Sequence, residues 1–265
     1  MRTFFSALAL LALLPAGAQI SEGTIAFTKT VKMNIELPPE FAAHAAHLPK
    51  EQKTNYELLF AGNKSLLRPA EEAPDGMTMD NGEGIVIKMV GAGGNDVTYT
   101  DLEAKKRIDQ RELGTKMFVV EDTLARLSWK LGGETKTILG HPCKKASATR
   151  IMQSIQVNSD GGKTTRKAVS DTVDVIAWYA TDFTCTSGPE YAGNLPGMIL
   201  ELEMDGGDVR YAATKIDAKY EKKALGPPKD GKKVTQEEFK KEQEEFFKKM
   251  DEINGGGGRR MIKKE

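Results

Sequence analysis

Apolar and polar residues alternate from the first third of the chain onward. Between Gly23 and Ile35, Ile25, Phe27, Val31, Met33 and Ile35 all fall on odd positions, the period of a strand with one buried face. Tyr56, Leu58 and Phe60 alternate again, and Gly62-Asn63-Lys64 turns the chain into Ser65-Leu66-Leu67. Strand patterns recur from Ile85 through Met89, Val97 through Ile108, Met117 through Val120 and Leu127 through Leu139. Four more run over 146–157, 172–179, 198–204 and 209–216, split by turns such as Asp160-Gly161-Gly162 and Asp205-Gly206-Gly207-Asp208. Short strands joined by Gly, Asn and Asp turns predict a mainly β fold with some α. The expected architecture is a large curved antiparallel sheet or a partly closed barrel.

Two helices are expected beside the sheet. Pro38-Pro39 opens an alanine-rich stretch that predicts a short helix near 38–47, since proline suits a first turn. Near the other end, Thr235 followed by Glu238 forms a capping box, and Phe239, Phe246, Met250 and Ile253 follow at helical steps. That pattern predicts an amphipathic helix stopping at Asn254-Gly255.

The chain starts with Arg2, an apolar stretch from Phe4 to Leu14, and then Ala16-Gly17-Ala18, which reads as a secretory signal cleaved before Gln19. Eleven residues are too few to span a bilayer, which takes about 20. The expected division is a signal peptide over 1–18 and a β-rich domain over 19–220. A linker with the amphipathic helix over 221–254 and a disordered tail over 255–265 complete it. The mature chain is expected in the periplasm or associated with the outer membrane, and not membrane-spanning.

Charge and chemistry narrow the function. Lysine plus arginine equals aspartate plus glutamate, 38 each, so no global field points to nucleic acid. An oxidising compartment favours pairing the two cysteines, Cys143 and Cys185, into a disulfide. Closing that loop is worth up to about 4 kcal/mol in the chain-entropy model. Of three histidines, His44 and His47 stand three apart and make a weak metal pair, two ligands where sites use three or four. His141 stands in a turn next to Pro142-Cys143. There is no G-x-S-x-G, no H-E-x-x-H and no phosphate-cradling glycine loop, so no catalytic residues and no cofactor are assigned.

The stretch before the 198–204 strand is turn-rich. Gly188-Pro189 and Asn194-Leu195-Pro196-Gly197 are expected to form a rigid corner that fixes strand register, with Gly197 in the left-handed place of a type II turn. Candidate binding residues near it are Trp178, Tyr179, Tyr191 and Glu201, because recognition concentrates on loops held by rigid scaffolds.

These residues resemble the GLPGLI family of exported Bacteroidetes proteins. The resemblance runs through Trp129, Ile138, Gly140, Cys143, Lys144 and Ala146, then Ala177-Trp178-Tyr179, Ser187-Gly188-Pro189 and Leu195-Pro196-Gly197 with Ile199-Leu200-Glu201. Asn194 replaces a glycine and Met198 a leucine of the family's corner. The resemblance implies a β-rich envelope protein with no established activity, so it carries over no catalytic residue. The expected function is a non-enzymatic binding or accessory protein for an envelope protein, a peptide or an apolar ligand. The alternative is a hydrolase or metal-dependent enzyme using His44, His47 or His141.

Overall fold

The computed structural model describes residues 19–32, 50–70, 77–80, 86–89, 96–160 and 163–255. The expected signal peptide, the helix near 38–47 with His44 and His47, and all but the first residue of the tail lie outside the described residues.

Among the described residues, fourteen strands and one α-helix follow in order: β1 (Glu22–Lys32), β2 (Glu51–Ala61), β3 (Lys64–Pro69), β4 (Met77–Asp80), β5 (Val86–Met89), β6 (Val97–Asp101), β7 (Lys106–Leu113), β8 (Lys116–Thr123), β9 (Lys130–Ile138), β10 (His141–Asp160), β11 (Lys163–Ala180), β12 (Met198–Met204), β13 (Val209–Asp217), β14 (Lys232–Thr235) and α1 (Gln236–Gly255). Twelve strands form one sheet in the order β14-β8-β7-β6-β3-β2-β1-β13-β12-β11-β10-β9, and β4 with β5 makes a separate hairpin. Neighbours are antiparallel except β14, which runs parallel to β8. The sheet is therefore mixed and open, ending in two edge strands, and not closed into a barrel.

The alternation in β1 does what the sequence predicts, with Ile25 and Phe27 at most 1% exposed. Strand β1 sits between β2 and β13, so the N-terminal strand is central. The main core gathers β1, β2 and β10–β12 with the segment 181–197, which leaves β11 and crosses one face of the sheet before β12. On the same face, at the far end, α1 docks through Phe239, whose ring meets Phe118 edge-on at 5.3 Å. The capping box closes as expected: Thr235 N donates to Glu238 Oε2 at 2.8 Å, and Glu238 N donates to Thr235 Oγ1 at 3.2 Å. The opposite face of β2, β3, β6, β7 and β8 is apolar too, where Leu59, Leu66, Tyr99, Ile108 and Val119 pack under Tyr220, Ala224 and Leu225. The expected linker is thus part of the fold, covering one face and supplying β14.

Strand β12 departs from simple alternation. Trp178 faces Glu201 while Tyr179 faces Ile199, so Leu200 is an extra, unpaired residue. The bulge buries Ile199, Leu200 and Leu202 together at 1% exposure or less.

Candidate functional site

The segment 181–197 is a plug. Within it Gly193 N donates to Thr186 O at 2.7 Å, and Ile199 N reaches back to Ser187 O at 2.8 Å, closing a tight loop over β3, β6 and β7. Ser187 Oγ and Ser65 Oγ on β3 share a buried hydrogen bond of 2.6 Å. Gly193 turns at φ +74°, and Glu190 holds a left-handed φ of +62°, unusual for a side chain with a Cβ.

Beneath the plug lies a charged cluster on β7. Arg107, Asp109 and Arg111 alternate with Ile108 and Gln110, so all three point toward the plug. Asp109 Oδ1 accepts from Thr98 Oγ1 at 2.8 Å and from Arg107 Nε at 2.9 Å, while Oδ2 accepts from Arg111 Nη2 at 2.7 Å. Burial opposes ionisation of Asp109, but the two guanidiniums and these hydrogen bonds outweigh it and hold its carboxyl below the usual range. Arg107 Nη1 then donates to Glu190 O at 3.4 Å, and Glu190 Oε1 accepts from Tyr211 OH at 2.9 Å. Burial, then the charges of Asp96 and Glu190, push the neighbouring Tyr56 hydroxyl up to about 12. Between plug and sheet, Ser65, Thr98, Thr100, Arg107 and Glu190 line a cleft with room for about one water molecule. Its hydrogen-bonding groups are mostly engaged with one another, so the cluster ties the plug to the sheet.

The corner residues hold that plug by contacts the turn motif did not suggest. Gly197 lacks a positive φ, so the type II turn expected there does not form. A Cβ on Gly197 would collide with the carbonyl oxygen of Ala180, and glycine is needed for close approach instead. Asn194 acts through its amide, which is a latch. Its Oδ1 accepts from Leu127 N at 3.0 Å and from Trp129 Nε1 at 3.2 Å, and its Nδ2 donates to Ala125 O at 2.7 Å. Gly188, Pro189 and Leu195 are buried and Pro196 is exposed.

The four candidate binding residues divide between two faces. Tyr179 is in the core, and Tyr191 lies in the plug, its hydroxyl accepting from Arg150 Nη1 at 2.9 Å. Trp178 and Glu201 face each other on the opposite side of β11 and β12. Lys136 from β9 joins them, its Nζ 4.2 Å from the Trp178 ring centroid and 2.9 Å from Glu201 Oε1. Arg210 completes the group at 3.2 Å from Glu201. Burial works against the Glu201 charge, but Lys136 and Arg210 more than compensate and lower its pKa.

The expected disulfide does not form: Cys143 and Cys185 are both free and fully buried. Cys143 stands in the β10 ladder opposite Ala180, its Sγ 3.5 Å from His141 O. Cys185 lies beyond the end of β11, its Sγ 3.9 Å from Lys64 O on β3, and five strands separate β3 from β10 in the sheet. Burial pushes the two thiols up to about 11 and about 12 respectively, so neither is a ready thiolate. His141 Nδ1 shares a 2.6 Å hydrogen bond with Asp182 Oδ2, and Asp182 Oδ1 is buried without a partner.

Sequence reasoning missed Arg107, Asp109, Arg111, Glu190 and Lys136. The available signal was plus, minus, plus at period two on β7, which balances charge within one strand face.

An open, mostly β fold with a C-terminal helix defines the class of protein. The model of a family described as a protein of unknown function (Porph_ging) matches residues 129–201, which span β9 through most of β12. Two solved structures of PNGF-II, in C2 and P21 space groups, are similar in fold, with TM-scores of 0.51 and identities of 14% and 16%. Each similarity covers 85% of this chain, and the chain spans about a third of those longer proteins, 33% and 34%. No curated protein matches the chain.

Proposed function

We propose that the protein is an exported, non-enzymatic accessory protein of the cell envelope that binds a partner through the open side of β9–β13. The observation that carries this reading is the group around Trp178. A half-buried indole and an arginine, two of the residue types enriched at binding hot spots, are held on rigid strands by Glu201 and Lys136. The plugged side supports an external partner over an enclosed apolar ligand, since its cleft has room for only about one water molecule. The apolar run at Met1–Ala18 and the resemblance to GLPGLI proteins support export.

Cross-linking in fractionated cells followed by mass spectrometry tests both parts. The mature N-terminus should be Gln19 in the envelope fraction. One protein cross-linked to the wild type should be lost with Trp178→Ala and Lys136→Ala. An intact Met1 in the cytosol, or an unchanged cross-linking pattern in both variants, overturns the reading. The hydrolase alternative has one observation on its side, the 2.6 Å His141–Asp182 pair.

A further inference from the structure

Strands β10 and β11 stay paired from Cys143–Ala180 out to Asp160–Lys163, but their neighbours stop early. Strand β9 accompanies β10 only as far as Ser147, and β12 accompanies β11 only from Val175 to Ala180. Beyond those points β10 and β11 continue as a ribbon with no further described strand beside it, though Asp205–Gly207 and α1 approach β11. About twelve residues per strand give it a reach of about 40 Å. No strand pairs with either outer edge among the described residues. A two-stranded ribbon is marginal in water by itself, and an unpaired edge is a template for another strand. At its base stands Ile151, a large apolar side chain that is 74% exposed.

Charge order along β11 says what the edge fits. Lys163, Arg166 and Lys167 occupy its outer half, and Asp171 and Asp174 follow. A parallel copy of the strand would set like charges opposite one another. An antiparallel copy sets basic against acidic. We infer that the protein dimerises by antiparallel pairing of the β11 ribbon edge with the same edge of a second copy.

The symmetry restricts the register. In an antiparallel pair, directly opposed residues point to the same face, and a twofold axis normal to the sheet preserves faces, so one residue must oppose itself. With the axis at Val169, Lys167 opposes Asp171 of the second copy, twice, and Thr165 opposes its Val173. Arg166 takes a register position diagonal to Asp174. Moving the axis to Ala168 loses the Lys167–Asp171 match, and moving it to Ser170 sets Arg166 opposite Asp174 instead, at the end of the edge that Asp205–Gly207 approaches.

Sedimentation velocity of the full chain over a concentration series tests this, with circular dichroism to establish that each variant is folded. The wild type should form a dimer that weakens in high salt. Asp171→Lys should raise its dissociation constant at least tenfold, and the double reversal Lys167→Asp with Asp171→Lys should restore it. Val169→Cys provides a second, covalent readout, because its own counterpart lies across the axis at a spacing suited to a disulfide. Mild oxidation should cross-link Val169→Cys covalently and leave Thr165→Cys without a covalent cross-link. A wild type that stays monomeric at every concentration overturns the inference. So does a dimer indifferent to Asp171→Lys, or cross-linking of both cysteine variants equally.

Discussion

Strands β7 and β9 are of similar length and both carry charges of both signs, yet they live in different solvents. Strand β7 lies third from one edge of the sheet and is covered on both faces, by the plug on one and by Tyr220–Leu225 on the other. Its Asp109 is 3% exposed and bonded to two arginines. Strand β9 is the opposite edge, with nearly every residue exposed. Its Glu134 meets Lys145 at 3.0 Å with a side chain that is 66% exposed. The same kind of carboxylate–cation contact is therefore a structural tie in one strand and a weak surface pair in the other. What covers the strand decides between them, because water screens one contact and is excluded from the other.

The comparison can be broken at Asp109 first. Asp109→Ala leaves two guanidiniums facing each other under the plug, and urea unfolding should show a loss of about 3–5 kcal/mol. A loss under about 1 kcal/mol would mean that water reaches the cluster. Acid titration sharpens the same point. The folded pKa of Asp109 is depressed, so its stabilisation is fully present above the unfolded carboxylate value and is lost as pH falls through the folded one. The stability gap between wild type and Asp109→Asn should therefore narrow on acidification; a gap that widens reverses the sign and defeats the argument. Smallest is the β9 counterpart: Glu134→Ala should change stability by no more than about 0.5 kcal/mol.

Much of the architecture was legible in the residues. Period two placed β1, β2 and the hairpin of β12 and β13, and the Thr235–Glu238 pair located the start of α1 to the residue. Features that depend on which strands become neighbours were not legible. Arg107, Asp109 and Arg111 look like a solvated strand face until the plug covers them. Cys143 and Cys185 fit a compartment rule for pairing, but that rule is blind to the five strands between β10 and β3. Asn194 and Gly197 suggested backbone conformation, whereas the amide latch and the Ala180 carbonyl need partners far away in sequence. Of the candidate binding residues, Trp178 and Glu201 converge only because β11 and β12 pair across the bulge at Leu200.

The central position of β1 has a consequence for how the chain comes together. Thr24 faces Asp217, so one side of the first strand has no partner until nearly the whole polypeptide exists. Contacts that remote in sequence bear a large closure entropy and form late. A growing chain can thus pair β1 with β2 early, but the other edge of β1 keeps its backbone groups unpaired through most of synthesis. Assembly must wait for the arrival of β13, which makes the last quarter of the sequence the clock for the rest.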